Sequence, residues 1–212
     1  MMSDMMINRL VEDLTPVKPL KNRNGFALTL AVAAVVAVLV ALLAGVRGDL
    51  LMGMPHPMFF LRGGALLLLG LTSSYAVIAM SQPAVGNSFK GWIWALAAAL
   101  LFPATAAVMA MMTRPDDMAI LVARYGVECL TVSMLAGLGI AAAQVLWLRR
   151  GAPVALERAG WLVGMSSGAL GAAAYGLHCP FNSIFYIGLW YSLAVALCAI
   201  AGRLLVPRLI RW

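Results

Sequence analysis

Residues 26–44 read FALTLAVAAVVAVLVALLA, a run that contains no charged side chain. About 20 apolar residues in a helix span the hydrocarbon core of a bilayer, so this stretch predicts a transmembrane helix. The run is longer than the apolar segment of a signal peptide, which has about 7–15 residues, and a polar tail precedes it. We therefore interpret Phe26–Ala44 as a retained first helix that follows a tail at residues 1–24.

The rest of the chain repeats this pattern. Five further apolar runs of similar length follow at Leu61–Met80, Trp92–Met112, Cys129–Leu148, Ala159–Leu177 and Phe185–Val206. Hydrophobic residues make up 63% of the 212 positions and charged residues 11%, whereas globular domains have about 45–50% and about 25%. The sequence therefore predicts an all-α integral membrane protein, a bundle of six transmembrane helices over residues 25–212 without a separate soluble domain.

The positive charges are divided unevenly between the two sets of loops. Of the 15 Lys and Arg residues, four fall in segments that would face outward, which leaves eleven for the inner segments. The outer four are Arg47, Arg62, Arg114 and Arg124. Cytoplasmic loops carry the excess of Lys and Arg, so both termini are predicted to be cytoplasmic. The net charge of +7 then reflects topology, and no clustered basic patch points to direct nucleic-acid binding.

The polar tail has a pattern of its own. Ser3 or Asp4 can cap a short amphipathic helix, and Pro16 and Pro19 end it. The apolar residues of this helix recur at intervals of three and four, and they are Met6, Ile7, Leu10, Val11 and Leu14. A helix this short needs a surface to lie on. That surface is either the inner leaflet, on which the helix would lie as an interfacial segment, or a groove on a cytoplasmic protein partner.

Two of the three cysteines are predicted to lie at one face of the membrane. Cys129 opens the fourth span and Cys179 follows the fifth, and each lies about one helix length from the loop at residues 149–158. At about 1.5 Å per residue, the two thiols are then at the same height. With Glu128 and His178 beside them, they could bind a soft metal or respond to oxidants. They could equally be two unrelated interfacial residues, because equal height does not establish proximity.

The fifth span carries a stripe of small residues spaced four apart. Its members are Gly160, Gly164, Gly168, Ala172 and Gly176. Such a stripe lets a neighbouring helix approach closely, so its predicted role is helix packing. The same segment matches G-x-S-x-G, but a nucleophile elbow needs a strand-to-helix turn, and we predict no enzymatic activity. Cys198, inside the sixth span, is interpreted as a packing residue.

Several stretches together resemble the NrsF family, six-helix bacterial anti-sigma factors that act as negative regulators of the sigma F type. They are RLVEDLTPVKPL at residues 9–20, GVECL at 126–130, LRRGAP at 148–153, AGWLVGMSSGALGAAAYGLHCP at 159–180, FYIGLWYSLAV at 185–195 and the Arg-Trp C-terminus. The resemblance spans nearly the whole chain. Its most specific parts are the His-Cys-Pro motif with an upstream Cys and the DLTPV segment of the tail.

The resemblance implies a multi-pass protein of the bacterial inner membrane that holds an extracytoplasmic-function sigma factor. Cys129 and Cys179 would be sensor thiols on the periplasmic side, linked to stress that includes heavy metals. The tail would then be a sigma-docking segment, with contacts from Met6, Leu10, Leu14, Pro16, Val17 and Leu20. No obligatory cofactor is implied, although a soft metal ion could bind transiently at the cysteine pair. Family members often have an acidic residue where Asn182 stands here.

A small six-helix transporter or channel with an incidental tail is the alternative function. Ionisable side chains near mid-membrane are typical of carriers. The six predicted spans have almost none at depth, where Gln144 is the main polar side chain. The sequence therefore favours a regulator, in which a periplasmic thiol pair is connected to a cytoplasmic partner across six helices and membrane lipid.

Overall fold

The computed structural model describes residues 20–82 and 125–210, and these ranges are helical with no strand in either. The helices are α1 (Asn22–Ala44), α2 (Gly48–Leu51), α3 (Pro57–Ala79), α4 (Gly126–Leu148), α5 (Leu156–Tyr175), α6 (Ile184–Tyr186) and α7 (Ser192–Leu209), with a π-helix (Ile187–Tyr191) joining the last two. The all-α prediction is confirmed. Most of the predicted tail and the third predicted span, Trp92–Met112, lie outside the described residues.

Four stretches are long and apolar enough to cross a membrane, by length and composition. They are Asn22–Ala44, Pro57–Ala79, Gly126–Leu148 and Ile184–Leu209. They correspond to the first, second, fourth and sixth predicted spans. A total of six spans and the cytoplasmic position of both termini stay predictions.

The first, second, fourth and fifth predicted spans begin three or four residues earlier as helices than the apolar runs suggested, and the sixth begins one residue earlier. The second span starts at Pro57 rather than Leu61, because proline is tolerated at the first helical position, where its missing N–H would have no partner. The His56 imidazole Nδ1 caps this helix by accepting a hydrogen bond from the Met58 N–H at 3.2 Å. Helix α5 ends at Tyr175, before the predicted end at Leu177. Hydropathy alone marks the apolar part of a helix, whereas caps decide where the helix ends.

Helix α5 lies at the centre of the described bundle and packs against α1, α3, α4 and α7. Its small residues make this possible. A Cβ added at Gly164 would lie 2.1 Å from the Cys198 carbonyl oxygen of α7. One added at Gly160 would lie 2.7 Å from the Gly202 oxygen. Backbone therefore packs against backbone where α5 and α7 cross.

The remaining members of the predicted stripe differ in their surroundings. A Cβ at Gly168 would lie 2.9 Å from the Cys198 Cβ, so Gly168 also faces α7. Gly176 instead caps the C-terminal end of α5, and its nearest side-chain neighbour on another helix is Arg62. The structure thus places Gly160, Gly164 and Gly168 at the α5–α7 contact and Gly176 at a different kind of position.

A buried polar cluster ties α5 to α3 and α4 in the interior of the bundle. The Gln144 side-chain amide donates to the Ser74 hydroxyl at 3.0 Å and accepts from the Ser166 hydroxyl at 2.7 Å. All three residues are fully buried. Interhelical hydrogen bonds of this kind fix which faces of the helices meet, in a region where apolar surfaces alone discriminate weakly.

Candidate functional site

Cys129 and Cys179 lie at the same end of the bundle, which we call the thiol end. Cys129 is in the first turn of α4, and its N–H donates to the Tyr125 carbonyl at 3.0 Å. Cys179 follows α5, and its N–H donates to the Tyr175 carbonyl at 3.1 Å. Both side chains are thiols with no solvent exposure, and both belong to one buried cluster of apolar residues. The two cysteines therefore lie at the same end of the bundle, as their spacing predicted, and they share one buried environment.

Aromatic side chains enclose the two thiols. Tyr175, Tyr186 and Tyr191 belong to the same buried cluster as the cysteines. The Tyr186 hydroxyl donates to the Tyr125 carbonyl at 2.9 Å, which holds the end of α6 against the start of α4. The Phe181 ring stacks against both Tyr125 and Tyr186, with centroids 5.0 Å and 4.9 Å apart. Water is thereby kept from the thiols by rings that come from three separate segments.

A π-helical segment, Ile187–Tyr191, supplies part of this enclosure. Its extra residue per turn lets the Trp190 ring lie directly on α4, where a Cβ at Gly126 would come within 1.9 Å of the ring. Such segments are rare and occur frequently at functional sites, because they change the direction of side chains within an otherwise regular helix.

Arg47 is buried beside the segment that carries Cys179. One of its terminal nitrogens donates to the Cys179 carbonyl and the other to the Asn182 side-chain oxygen, each at 3.1 Å. The Asp49 carboxylate accepts two further hydrogen bonds from the same guanidinium, one from Nε and one at 2.6 Å from a terminal nitrogen. The hydrogen bond from Arg47 lowers the pKa of Asp49. Asn182 thus accepts a hydrogen bond from a cation.

Arg62, on α3, approaches the same segment from the other side. Its side chain is 1% exposed, and its terminal nitrogens donate to the Phe181 and Gly176 carbonyls at 3.0 Å each. A longer contact of 3.5 Å reaches the Cys179 carbonyl, and the guanidinium lies 5.2 Å from the Tyr191 ring centroid. Among residues 20–82 and 125–210, no carboxylate lies within salt-bridge distance of Arg62. The charge is held by carbonyl dipoles and an aromatic face.

Arg47 and Arg62 together form an arginine clamp on residues 176–182, the Cys179 segment. Neither arginine was predicted from the sequence to belong to the site, because both were interpreted as outward-facing loop charges. A signal was present for Arg62, which lies one residue inside the predicted span Leu61–Met80. An ionisable residue inside an apolar span is by default a functional candidate, because its desolvation has to be offset by specific partners.

The two proposed auxiliary metal ligands have other surroundings. The His178 ring Nδ1 lies 3.1 Å from the Gly45 carbonyl, which joins the end of α1 to the Cys179 segment. Glu128 is exposed in the first turn of α4. Within the part of the chain that the structure describes, no group of three or more His, Cys, Asp or Glu is placed to hold a metal ion. Cys198 is half-buried and packs on Gly168, away from the thiol end.

Of the six residues predicted to contact a sigma factor, Leu20 is the one that the structure describes. It is half-buried next to the start of α1, and its carbonyl accepts a weak hydrogen bond of 3.5 Å from the Gln82 side chain. Gln82 also donates to the Asn22 side chain at 3.1 Å. Met6, Leu10, Leu14, Pro16 and Val17 lie outside the described residues.

The described residues form a helical bundle of membrane type with a buried thiol pair at one end. The comparison with known families gives the class of protein. The model of the family described as "Negative regulator of sigma F", NrsF, matches residues 10–212. The chain belongs to the NrsF family, and the resemblance noted from its motifs is confirmed.

Two curated relatives support this assignment. The chain is 34% identical over 171 residues to "Anti-sigma-F factor NrsF" of Caulobacter vibrioides, with 78% of each chain covered. It is 29% identical over 189 residues to "Probable anti-sigma-F factor NrsF" of Azospira oryzae, with 85% of this chain and 84% of the relative covered. No solved structure matches the chain. Family membership counts against the alternative of a small transporter or channel.

Proposed function

We propose that this chain is an inner-membrane anti-sigma factor that holds an extracytoplasmic-function sigma factor and releases it when Cys129 and Cys179 react with a soft metal or an oxidant in the periplasm. The observation that carries the proposal is the arginine clamp: two buried cations hold the backbone of the segment in which Cys179 lies. The family description, a negative regulator of sigma F, supports the cytoplasmic half of the proposal.

The proposed chemistry uses only the two thiols. An oxidant that accepts two electrons converts the pair to a disulfide with loss of two protons. A soft divalent metal would instead displace the two protons and bind both sulfurs, since thiolates are preferred ligands of such metals. Either reaction pulls the start of α4 toward the end of α5. Because both thiols are fully buried, the Phe181 and Tyr125 rings have to move before a reagent can enter.

The clamp offers a route from the thiols to the tail. Arg62 lies near the start of α3, and Gln82 follows the other end of the same helix, where it contacts Leu20 and Asn22. A shift of the Cys179 segment that breaks the Arg62 hydrogen bonds would free α3 to move as a rigid body relative to the N-terminal end of α1. The tail joins α1 at that end. A ligand drives such a change only if it binds the releasing state better than the holding state.

The docking half is tested by co-purification. The full chain, extracted in mild detergent from cells that also produce a tagged extracytoplasmic-function sigma factor, should retain that sigma factor, and deletion of residues 1–20 should abolish retention. A matched control replaces Leu43, an exposed residue at the far end of α1, with Ala. Retention that survives the deletion would remove the tail from the proposal.

The sensing half is tested by transcription from a sigma-dependent promoter under metal or oxidant stress. The double variant Cys129→Ser/Cys179→Ser should keep the sigma factor bound and lose induction, whereas Cys198→Ser should respond like the parent chain. Alkylation of the two thiols before and after stress, read by mass spectrometry, separates a bridged pair from a metal-bound one. Normal induction in the double variant would refute a role for the pair.

A further inference from the structure

A groove lies at the opposite end of α5 from the thiols, between the start of α5 and the end of α7. We call this the basic end. The groove has a volume of about 1200 Å³. Its walls include Glu157, Arg158 and Trp161 of α5 and Ile200, Arg203, Leu204 and Arg208 of α7. None of these residues takes part in the function proposed above.

The charges in this groove are arranged differently from those of the thiol end. Arg158, Arg203 and Arg208 are exposed and share the lining with one acid, Glu157. Arg203 lies 3.7 Å from Glu157, but the two side chains are 50% and 75% exposed, so this ion pair is weak. The described lining of the groove therefore has two positive charges in excess.

The lower wall of the groove is apolar and continuous with the outer face of α7. Ile200 is 47% exposed and Leu204 54% exposed, and together with Arg208 they follow one another at intervals of four residues. Residues spaced four apart lie on one face of a helix. The arginines therefore lie at the helix ends, and the exposed aliphatic side chains extend from them toward the middle of the span.

Trp161 marks the level at which polar and apolar parts meet. It lies about one and a half turns into α5, half-buried, and its ring is 5.6 Å from the Arg203 guanidinium carbon. Tryptophan is enriched at the headgroup level of bilayers, where one side of the ring is apolar and the indole N–H is solvated. The groove thus combines a cationic rim, an aromatic boundary and an aliphatic wall in the order in which a phospholipid presents phosphate, glycerol and acyl chain.

We propose that this groove is a binding site for an anionic phospholipid, with the headgroup phosphate between Arg158, Arg203 and Arg208 and an acyl chain along Ile200 and Leu204. Basic pockets between helix ends bind anionic headgroups through the same combination. Arginine suits this role because its planar guanidinium donates two parallel hydrogen bonds to a phosphate. The continuity of the aliphatic wall with the lipid-facing surface of α7 favours a lipid over a protein occupant.

The test uses the full chain in vesicles of phosphatidylcholine that contain increasing mole fractions of either brominated phosphatidylglycerol or brominated phosphatidylcholine. Bromine quenches the fluorescence of nearby tryptophans, and the difference in fluorescence between the parent chain and Trp161→Phe isolates the contribution of Trp161. We expect brominated phosphatidylglycerol to quench this contribution at a several-fold lower mole fraction than brominated phosphatidylcholine does. Each of Arg158→Gln and Arg208→Gln should weaken the preference about fivefold, as expected for one arginine near an anionic surface.

The matched control is Arg150→Gln, an exposed arginine at the same end that does not line the groove. Arg150, Arg158 and Arg208 are all exposed, so their Gln variants should fold like the parent chain, as checked by circular dichroism. Equal quenching by the two lipids would overturn the proposal. So would an Arg150→Gln effect as large as that of Arg158→Gln, since bulk surface charge would then suffice. Loss of sigma-factor retention with unchanged lipid preference would assign the groove to a protein partner instead.

Discussion

The two ends of α5 use the same residue type in opposite ways. At the thiol end, Arg47 and Arg62 are 5% and 1% exposed and their guanidinium groups donate to backbone carbonyls around Cys179. At the basic end, Arg158, Arg203 and Arg208 are exposed along an open groove. A buried guanidinium determines the position of the backbone that it binds, whereas an exposed one contributes mainly charge. The arginines of the thiol end therefore hold backbone in place, whereas those of the basic end present positive charge at the surface.

The largest effect should follow from loosening the helix that connects the two ends. Gly164→Ala places a Cβ 2.1 Å from the Cys198 carbonyl oxygen and 2.5 Å from the Ala199 Cα, and backbone atoms cannot give way as side chains can. We expect a loss of about 3 kcal/mol or more of stability, measured by thermal unfolding in detergent. The same substitution at Gly64, where no atom of another described segment lies within 4 Å of the added Cβ, should change little. Equal losses at the two sites would contradict the described α5–α7 contact.

The next effect separates the two kinds of arginine directly. Arg62→Met removes the donors to the Gly176 and Phe181 carbonyls while keeping an apolar side chain of similar length. Buried carbonyls left without partners should lower the free energy of unfolding by about 2–4 kcal/mol. Arg150→Met, at an exposed position, should change it by less than about 0.5 kcal/mol. If the two variants unfolded alike, the buried arginine would not be holding the Cys179 segment.

A smaller effect is expected in the interior, between the two ends. Gln144→Leu removes the hydrogen bonds to Ser74 and Ser166, but each serine keeps a bond to its own helix, to the Gly70 and Val163 carbonyls respectively. The loss should therefore be only about 1 kcal/mol, as for other interhelical hydrogen bonds in membranes. Thr131→Val, on the exposed face of the same helix α4, serves as the control in the same unfolding assay. A loss several times larger would mean that the cluster, rather than helix packing, connects the ends.

The smallest predicted effect is the pH dependence of the clamp. Because Arg47 lowers the pKa of Asp49 below the ordinary value of 3.8, ionised Asp49 stabilises the folded chain. This contribution is complete above the ordinary pKa and is lost as the pH falls through the lower pKa of the folded state. The thermal unfolding temperature of the parent chain should fall toward that of Asp49→Asn as the pH is lowered from about 5 to about 3. A stability difference that stays constant through this range would show that the carboxylate does not titrate with the fold.

Most of what the sequence predicted about the fold came from apolar runs. Four predicted spans reappear as helices long enough to cross a membrane, because their aliphatic composition is itself the signal. The fifth span is not among these four, and it is the one with 15 buried residues out of 20. A helix surrounded by other helices needs small residues more than lipophilic ones, so hydropathy is least informative for the helix that organises the bundle.

The site was predicted in part. Cys129 and Cys179 could be assigned to one end because the helix rise is constant, so the number of residues along a helix gives its length. The arginine clamp could not be found in this way. Arg47 and Arg62 donate to carbonyls of residues more than 100 positions away in the chain. Every residue has a carbonyl, so a site made of carbonyl acceptors leaves no pattern in the sequence.

The sequence by itself determined the helical class, the membrane-type composition, the NrsF family and the placement of two cysteines at one end, because each of these depends on composition, local spacing or shared motifs. Only the tertiary structure decided which arginines are structural and which remain on the surface. The charge of a guanidinium is the same in both cases. What differs is whether the folded chain brings carbonyl oxygens and aromatic rings to it or leaves it to water and lipid, and that depends on contacts between segments far apart in the chain.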